Sequence, residues 1–185
     1  MNKFERIGKM DLVVVDNARI KQAIDIYYHW KDLNTELQTF SNSRGLNFPS
    51  ELSEYMTGYA LGFHINKNSS GDAVDLSDPN NPKIIEIKCC SADDIDAPSS
   101  FSPSENFDDL VYVRLEKRND ILKIYRTGIN SEDLKKIKVN EKETLGDQQK
   151  AGRRPRFSIY SKIIRPLGLE PDAIIDIRSR SVKRK

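Results

Sequence analysis

Two short stretches of the chain place charged side chains inside an otherwise apolar sequence that favours β-structure. The first contains Asp72 and Asp75, and the second contains Glu86 and Lys88 among three isoleucines. Side chains alternate between the two faces of a strand, so Glu86 and Lys88 share one face. A charged pair inside an apolar strand is costly unless it is paired, hydrated or bound to a metal. The pattern therefore predicts a site at which carboxylates and a lysine act together.

An antiparallel hairpin between these stretches adds an aspartate to the same face. With Leu76 opposite Ile84, Asp72 lies opposite Lys88 and diagonal to the glutamate. A register shifted by one residue puts Asp75 in this position instead. The connection of seven residues does not fix the register. Asp72 is the favoured candidate, and Asp75 is the alternative.

The chemistry of such a cluster is that of phosphodiester hydrolysis. Two carboxylates on a rigid sheet can hold Mg²⁺, with Mn²⁺ as a substitute, and the ion keeps several waters. A bound metal lowers the pKa of a water and neutralises charge that develops on a phosphate. A neighbouring lysine can orient the attacking water and add positive charge at the transition state.

The net charge of +2 hides a strong asymmetry along the chain. Residues 1–113 contain 10 basic and 18 acidic residues, whereas residues 114–185 contain 20 basic and 10 acidic residues. A basic half suggests a surface for a polyanion. Its most compact basic loop contains Arg153, Arg154 and Arg156, and arginine binds both phosphates and guanine edges. These three arginines are the candidates for DNA binding.

Composition excludes several other classes of protein. Charged residues make up 31% of the chain and hydrophobic residues 37%, which excludes a disordered chain. No apolar run is long enough to span a membrane, and the charged N-terminus does not resemble a secretory signal. The two cysteines, Cys89 and Cys90, are neighbours and cannot link distant segments. We therefore expect a reduced, cytoplasmic protein without a membrane partner.

Hydrophobic spacing predicts two helices followed by a sheet. Residues 19–40 and 50–61 have helical periodicity, with Asp16 or Asn17 capping the first helix, Ser50 capping the second and Gly62 ending it. Five further segments read as strands: 72–76, 84–89, 111–115, 121–126 and 173–177. Residues 157–164 form either another strand or a helix, and the basic tail 178–185 is expected to fray. This order of elements predicts an α/β or α+β domain.

Asp72 followed by Glu86-Ile87-Lys88, with a helix before them, resembles the PD-(D/E)XK nuclease superfamily, although Gly71 stands where proline is usual. Further segments, spread over nearly the whole chain, resemble one subgroup, the type II restriction endonucleases that cut GCNGC. These segments are Trp30-Lys31-Asp32-Leu33-Asn34, Tyr59-Ala60-Leu61-Gly62-Phe63, Gly71-Asp72-Ala73-Val74-Asp75, Gly128-Ile129-Asn130, Gly146-Asp147-Gln148-Gln149 and Gly152-Arg153-Arg154-Pro155.

The resemblance implies a central mixed β-sheet flanked by helices, with Asp72, Glu86 and Lys88 as catalytic residues. It implies that the metal is held by both carboxylates, by the backbone carbonyl of Ile87 and by an acid on the preceding helix. For that acid Glu54 is preferred and Glu51 is the alternative. It also implies one nuclease domain, 1–177, made of a helical part (1–63), a catalytic sheet (71–126) and a DNA-contacting part (146–177), followed by the tail.

The function that the resemblance implies is a Mg²⁺-dependent type II restriction endonuclease that cuts duplex DNA at a short palindrome, GCNGC being the candidate. A homodimer matches a palindromic target, because one active site cuts one strand. A DNA methyltransferase is the expected functional companion. A repair or junction-resolving nuclease of the same fold and a non-catalytic DNA-binding protein are the alternatives.

Overall fold

The computed structural model describes residues 3–42, 45–68, 71–102 and 106–185. The helices in these ranges are α1 (Lys3–Ile7), α2 (Asn17–Ser41), α3 (Ser50–Leu61), α4 (Ser131–Leu134), α5 (Leu145–Lys150) and a π-helical turn at Tyr160–Ile164. The strands are β1 (Leu12–Val14), β2 (His64–Asn66), β3 (Ala73–Asp75), β4 (Lys83–Cys90), β5 (Ser99–Ser100), β6 (Asp109–Glu116), β7 (Ile121–Arg126), β8 (Arg156–Phe157), β9 (Ala173–Asp176) and β10 (Ser181–Arg184). None of the described helices is both long and apolar enough to cross a lipid bilayer.

Most strands belong to one mixed sheet. Its eight strands in the described residues run in the order β1-β2-β3-β4-β6-β7-β9-β10, and a separate ribbon joins β5 to β8. Strands β4 and β6 are parallel, whereas the other neighbouring strands are antiparallel. The fold therefore confirms the predicted α/β class with a central mixed sheet flanked by helices.

The two faces of the sheet bury different cores. One core combines apolar residues of α2 and α3 with one side of the strands, including Tyr27, Met56 and Ile85. The other core contains Ile84 of the same strand, together with apolar residues of α4, α5 and the π-helical turn. Alternation along β4 thus sends successive side chains into opposite layers.

The two long helices begin and end close to the predicted residues. The side chain of Asp16 caps α2 by accepting the N–H of Arg19 at 2.8 Å. The residue before α3 is Pro49, so the expected cap at Ser50 is wrong, because Ser50 is already the first helical residue. Gly62 ends α3 with a φ of 74°, a left-handed conformation that costs glycine little.

Helix α2 is fixed to the sheet by a buried polar cluster centred on Asp120. The carboxylate of Asp120 accepts the hydroxyl of Tyr27 at 2.6 Å and pairs with Lys31 and Arg178. Burial alone would raise the pKa of Asp120, but the bonds from Lys31, Tyr27 and Arg178 lower it. The carboxylate therefore stays ionised and holds one face of α2 in place.

One expectation about the C-terminal part is wrong. The tail does not fray, because residues 181–184 form β10 against β9 and the Arg184 guanidinium donates to the carbonyl oxygens of Ala60 and Tyr59, at 2.8 and 3.1 Å. For residues 157–164 the sequence left a strand and a helix open. Only Phe157 belongs to a strand, β8, and the chain then turns into the π-helical segment, so the helical alternative fits most of these residues.

Candidate active site

The position of the predicted acids depends on how β3 pairs with β4. Val74 lies opposite Ile84, so the predicted register with Leu76 in that position is wrong by two residues. Regular pairing ends at Ala73, which lies opposite Ile85, and the N–H of Asp72 donates to the carbonyl of the same Ile85 at 3.0 Å. Asp72 therefore lies just beyond the regular ladder and not opposite Lys88, and hydrogen bonds to Ile85 and Ile87 hold it beside β4.

The carboxylate of Asp72 is held by the strand beside it. Its Oδ2 atom accepts the backbone N–H of Ile87 at 2.7 Å. A hydrogen bond from a backbone amide to an ionised carboxylate is strong and fixes the orientation of the group. Asp72 is half-buried and lines a cleft of about 660 Å³.

Asp75 occupies a different environment. It lies within β3, opposite Lys83, and its carboxylate pairs with the Arg126 guanidinium at 3.1 Å. It also accepts the N–H of Ser77 at 2.9 Å. Burial acts to raise the pKa of Asp75, but the bonds from Ser77 and Arg126 lower it overall. Asp75 is therefore a structural ion-pair partner and does not line the cleft.

Glu86 and Lys88 meet as the shared strand face predicted. Glu86 is buried, Lys88 is half-buried, and the ammonium and carboxylate form an ion pair. The Lys88 ammonium also lies 5.8 Å from the centre of the Phe101 ring, within the range of a cation–π contact. Lys88 lines the same cleft as Asp72, and its ion pair with Glu86 places the third predicted catalytic residue beside the cleft.

The carboxyl group of Glu54 interacts electrostatically with Asp72 and Glu86. It lies on α3, lines the cleft, and its pKa is raised to about 7 by burial, then by Asp72, Glu51 and Glu86, against a smaller opposing effect of Lys88. Glu51 is exposed and does not line the cleft. Of the two helix candidates, Glu54 is therefore the one that faces the predicted catalytic acids.

The donor set suits a hard divalent cation that retains waters. Among the described residues, no three side chains of His, Cys, Asp or Glu are close enough together to enclose a metal ion. Glu54 therefore does not complete a cage with the two strand carboxylates. Mg²⁺ is commonly bound by one or two carboxylates with waters and substrate phosphate completing its shell, and Asp72 and Glu86 supply such a pair. Ile87 lines the cleft beside them.

The three candidate arginines have different surroundings. Arg156 lies on β8 and lines the cleft, opposite Ser100 in the short ribbon. Arg154 is exposed and makes no hydrogen bond or ion pair with the described residues. Arg153 is bound to the carboxylate of Glu143, whose pKa falls to about 2 because of bonds from Arg153, Gln148 and Asn140. The structure thus brings only Arg156 to the cleft.

Several cleft residues were not predicted from the sequence. Loop residues form much of the wall, and they include Asn47, Phe48 and Ala97. The buried guanidinium of Arg114 donates to the sulfur of Cys90 at 3.1 Å and to the carbonyl oxygens of Asp93 and Asp94, each at 3.3 Å. Arg114 thereby fixes the start of the loop that follows β4, and this loop lines another side of the cleft. No sequence pattern signalled these roles, since they depend on long-range packing.

Comparisons with known proteins define the class of enzyme. The family model of the Bsp6I restriction endonuclease matches residues 15–166. The type II restriction enzyme Bsp6I of Bacillus sp. (strain RFL6) is 46% identical over 172 residues, which cover 93% of this chain and 96% of that protein. No solved structure matches the chain significantly.

The chain is therefore a type II site-specific deoxyribonuclease. It belongs to the Bsp6I restriction endonuclease family. This assignment favours restriction over the junction-resolving and non-catalytic alternatives, and it implies DNA as the substrate of the enzyme.

The substitution Glu54→Gln tests, by a change in stability, the burial and the carboxylate crowding that together raise the pKa of Glu54. Since the pKa of Glu54 is raised from 4.5 to about 7 on folding, its favourable contribution is complete below pH 4.5 and is lost as the pH rises through about 7. Without added metal, the variant should be more stable than wild type by about 1–3 kcal/mol at ~pH 8 and nearly equal to it at ~pH 4. Urea unfolding at both pH values measures the difference.

Glu51→Gln is the matched control, because this residue lies one turn away but is exposed. It should show little gain at either pH. A Glu54→Gln variant that gains no stability at the higher pH would contradict the raised pKa of Glu54.

The two aspartates can be separated by divalent-ion binding and stability. Asp72→Asn should fold with nearly normal stability but bind Ca²⁺ at least ~10-fold more weakly, because a cleft carboxylate is lost. Asp75→Asn should bind Ca²⁺ like wild type but lose about 1–3 kcal/mol of stability, because the charge facing Arg126 is lost. Calorimetric titration and urea unfolding give the two quantities. The reverse pattern would assign the metal to Asp75.

Proposed function

We propose that the cleft hydrolyses phosphodiester bonds of duplex DNA at a short palindromic site, for which GCNGC is the candidate sequence. The observation that carries the proposal is that Asp72 and Lys88 line one cleft, with Glu86 paired to Lys88 beside it, in a chain that belongs to a restriction endonuclease family. We place the domain, residues 1–177, in the PD-(D/E)XK superfamily on the same residues.

Mg²⁺ is the cofactor that the donor set favours, and Mn²⁺ is a suitable substitute. Asp72, Glu86 and the backbone carbonyl of Ile87 would hold the ion, and Glu54 would act on it through its charge. The bound cation would lower the pKa of a water and offset the charge that develops on the phosphate. The pKa of Glu54 is raised first by burial and then by neighbouring carboxylates, and this second effect supports the role, because a cation in the cleft would relieve it.

The residues of the chain have distinct roles in this mechanism. The N–H of Ile87 holds one oxygen of Asp72, so the second oxygen of that carboxylate has a fixed direction. The Lys88 ammonium pairs with Glu86 and, with DNA bound, can donate a hydrogen bond to the attacking water or to the phosphate. Since it is partly enclosed beside Phe101, its charge acts more strongly than it would in bulk water.

DNA binding is assigned to the basic half of the chain. Arg156 at the cleft can contact the phosphates next to the scissile bond, and Arg154 has no competing partner among the described residues. Arg153 can contact DNA after releasing Glu143, at the expense of an exposed ion pair that is worth little. We place the DNA-contacting surface along residues 146–177.

A palindromic target requires two equivalent active sites. We therefore propose a homodimer that cuts both strands, with one protomer acting on each strand. A cytoplasmic enzyme of this kind needs a DNA methyltransferase that protects the same sequence in the host genome.

The test of the proposed chemistry is cleavage of a plasmid that contains GCNGC sites. With Mg²⁺, wild type should give discrete fragments whose ends map to these sites. Glu86→Ala and Lys88→Ala should each slow cleavage on the order of a hundredfold or more, because each removes a group that acts at the transition state. Both variants should remain folded by circular dichroism and should retain DNA binding in a gel-shift assay.

Glu132→Ala is the control, since this glutamate is exposed on α4 and lies outside the cleft. Near-normal cleavage by folded Glu86→Ala or Lys88→Ala would defeat the assignment of the site. Fragments that map to another sequence would overturn GCNGC alone.

Alanine substitutions should separate the three arginines by salt dependence and sequence discrimination. An arginine that contacts only phosphate should weaken cognate and scrambled duplexes about equally and lower the salt slope by roughly one unit. An arginine bidentate to guanine should cost ~1–3 kcal/mol on the cognate duplex and relax discrimination. We expect Arg156 to behave in the first way and at least one of Arg153 and Arg154 in the second.

Competition binding at several salt concentrations measures both effects. If all three variants bind and discriminate like wild type, the loop is only a solvated surface and recognition lies elsewhere.

A further inference from the structure

The outward side of α2 carries an apolar stripe that the cleft does not use. Ile26, Leu33 and Phe40 expose 43%, 49% and 89% of their surface and are spaced by seven residues. Seven residues make nearly two helical turns, so the three side chains lie along one line that is about 21 Å long. Leu37, which is half-buried, lies beside this line. Such a stripe on a charged helix is a surface for another helix.

The helix that carries the stripe is held firmly from its other side. Tyr27 and Lys31 bind the buried carboxylate of Asp120, and Ile20, Ala23, Ile24 and Trp30 pack into the core. A helix of 25 residues is about 37 Å long. A long, rigid helix with a pre-ordered apolar line loses little conformational entropy when it binds.

The pattern of side chains is complementary to itself. When two copies of α2 run antiparallel about a two-fold axis at Leu33, each Leu33 meets the partner's Leu33, and Ile26 meets the partner's Phe40. His29 precedes Leu33 by four residues and Glu36 follows it by three, and both lie on the same side of the stripe. The imidazole of each copy therefore stands level with the carboxylate of the other. An N–H donor and a carboxylate then face each other twice, once on each side of the axis.

We infer that this stripe docks a second copy of the chain, with the two α2 helices antiparallel about a two-fold axis near Leu33. The inference rests on the homodimer of the proposed function and specifies the face that forms it. The helix that carries the stripe also contacts the cleft wall, because Trp30 of α2 donates to the carbonyl of Asn47 at 3.0 Å.

The test compares two matched substitutions in the full-length protein. Leu33→Asp places a charge at the proposed axis, and Leu167→Asp places the same charge at a leucine with 56% exposure on another surface. Sedimentation equilibrium should give a dimer for wild type and Leu167→Asp. The dissociation constant of Leu33→Asp should rise about 100-fold or more, because the charge falls at the centre of the interface. Circular dichroism should show that both variants are folded.

Crosslinking supplies a second readout that does not depend on weakening the dimer. Leu33→Cys should form a covalent dimer with oxidised glutathione, because two-fold symmetry brings residue 33 next to its copy. Thr35→Cys, exposed on the same helix but off the stripe, should not. If Leu33→Asp stays dimeric and Leu33→Cys does not crosslink, this face is not the interface, although the proposed homodimer stands. A wild-type chain that is monomeric with and without DNA, yet still cuts GCNGC, would overturn both the interface and the homodimer while leaving the chemistry intact.

Discussion

The candidate active site depends on one backbone interaction, the hydrogen bond from the N–H of Ile87 to the carboxylate of Asp72. It crosses between β3 and β4 at the point where regular pairing of the two strands ends. The backbone of Asp72 is also bonded to Ile85 and Asn66, but without this hydrogen bond its carboxylate would have no fixed relation to Glu86. With it, an acid at the end of one strand lies beside the acid and the lysine of the next, and the rigidity of the sheet fixes their relative positions.

The electrostatics of the cleft follow from this arrangement. Carboxylates of Glu54, Asp72 and Glu86 act on one another in a partly enclosed space, and Lys88 offsets only part of their charge. Burial and this repulsion keep Glu54 half-protonated near neutral pH, a state that a bound cation would relieve. Asp75 shows the contrasting outcome, since a guanidinium and a backbone amide satisfy the same type of side chain on the other face of the sheet. Asp72 is therefore suited to binding an ion, whereas Asp75 is suited to stabilising the fold.

Much of this site could be predicted from the sequence, because successive side chains of a strand alternate between its two faces. The shared face of Glu86 and Lys88 needs only strand geometry. Asp72 reaches the cleft although the predicted register was wrong, because hydrogen bonds to Ile85 and Ile87 place it beside β4. The register of β3 against β4 could not be predicted, since the seven-residue connection allows several pairings and tertiary packing selects one of them. The segments at β1 and β2 are three residues long and carry too little periodicity to be recognised. The tail was expected to fray because it is basic, yet contacts of Arg184 with α3 carbonyls hold it as a strand.

The basic loop shows a different limit of sequence-based prediction. A charge count does not distinguish the three arginines of this loop. Only the tertiary structure shows that Arg153 binds Glu143, that Arg154 is exposed and that Arg156 lines the cleft. The apolar stripe on α2 was also hidden, because Ile26, Leu33 and Phe40 count as ordinary helical hydrophobic residues until the buried side of the helix is known. Sequence therefore identifies the chemical groups, and tertiary structure decides which surface each one serves.

The account is tested most directly by a crystal structure of the protein soaked with Mn²⁺, in which the ion is located by its anomalous scattering. We expect the ion between the carboxylates of Asp72 and Glu86, at about 2.0–2.3 Å from each, with the carbonyl oxygen of Ile87 in its shell and Lys88 beside it. An ion bound instead by Asp75 and Asp109 on the opposite face, or an ion that contacts neither Asp72 nor Glu86, would contradict the account.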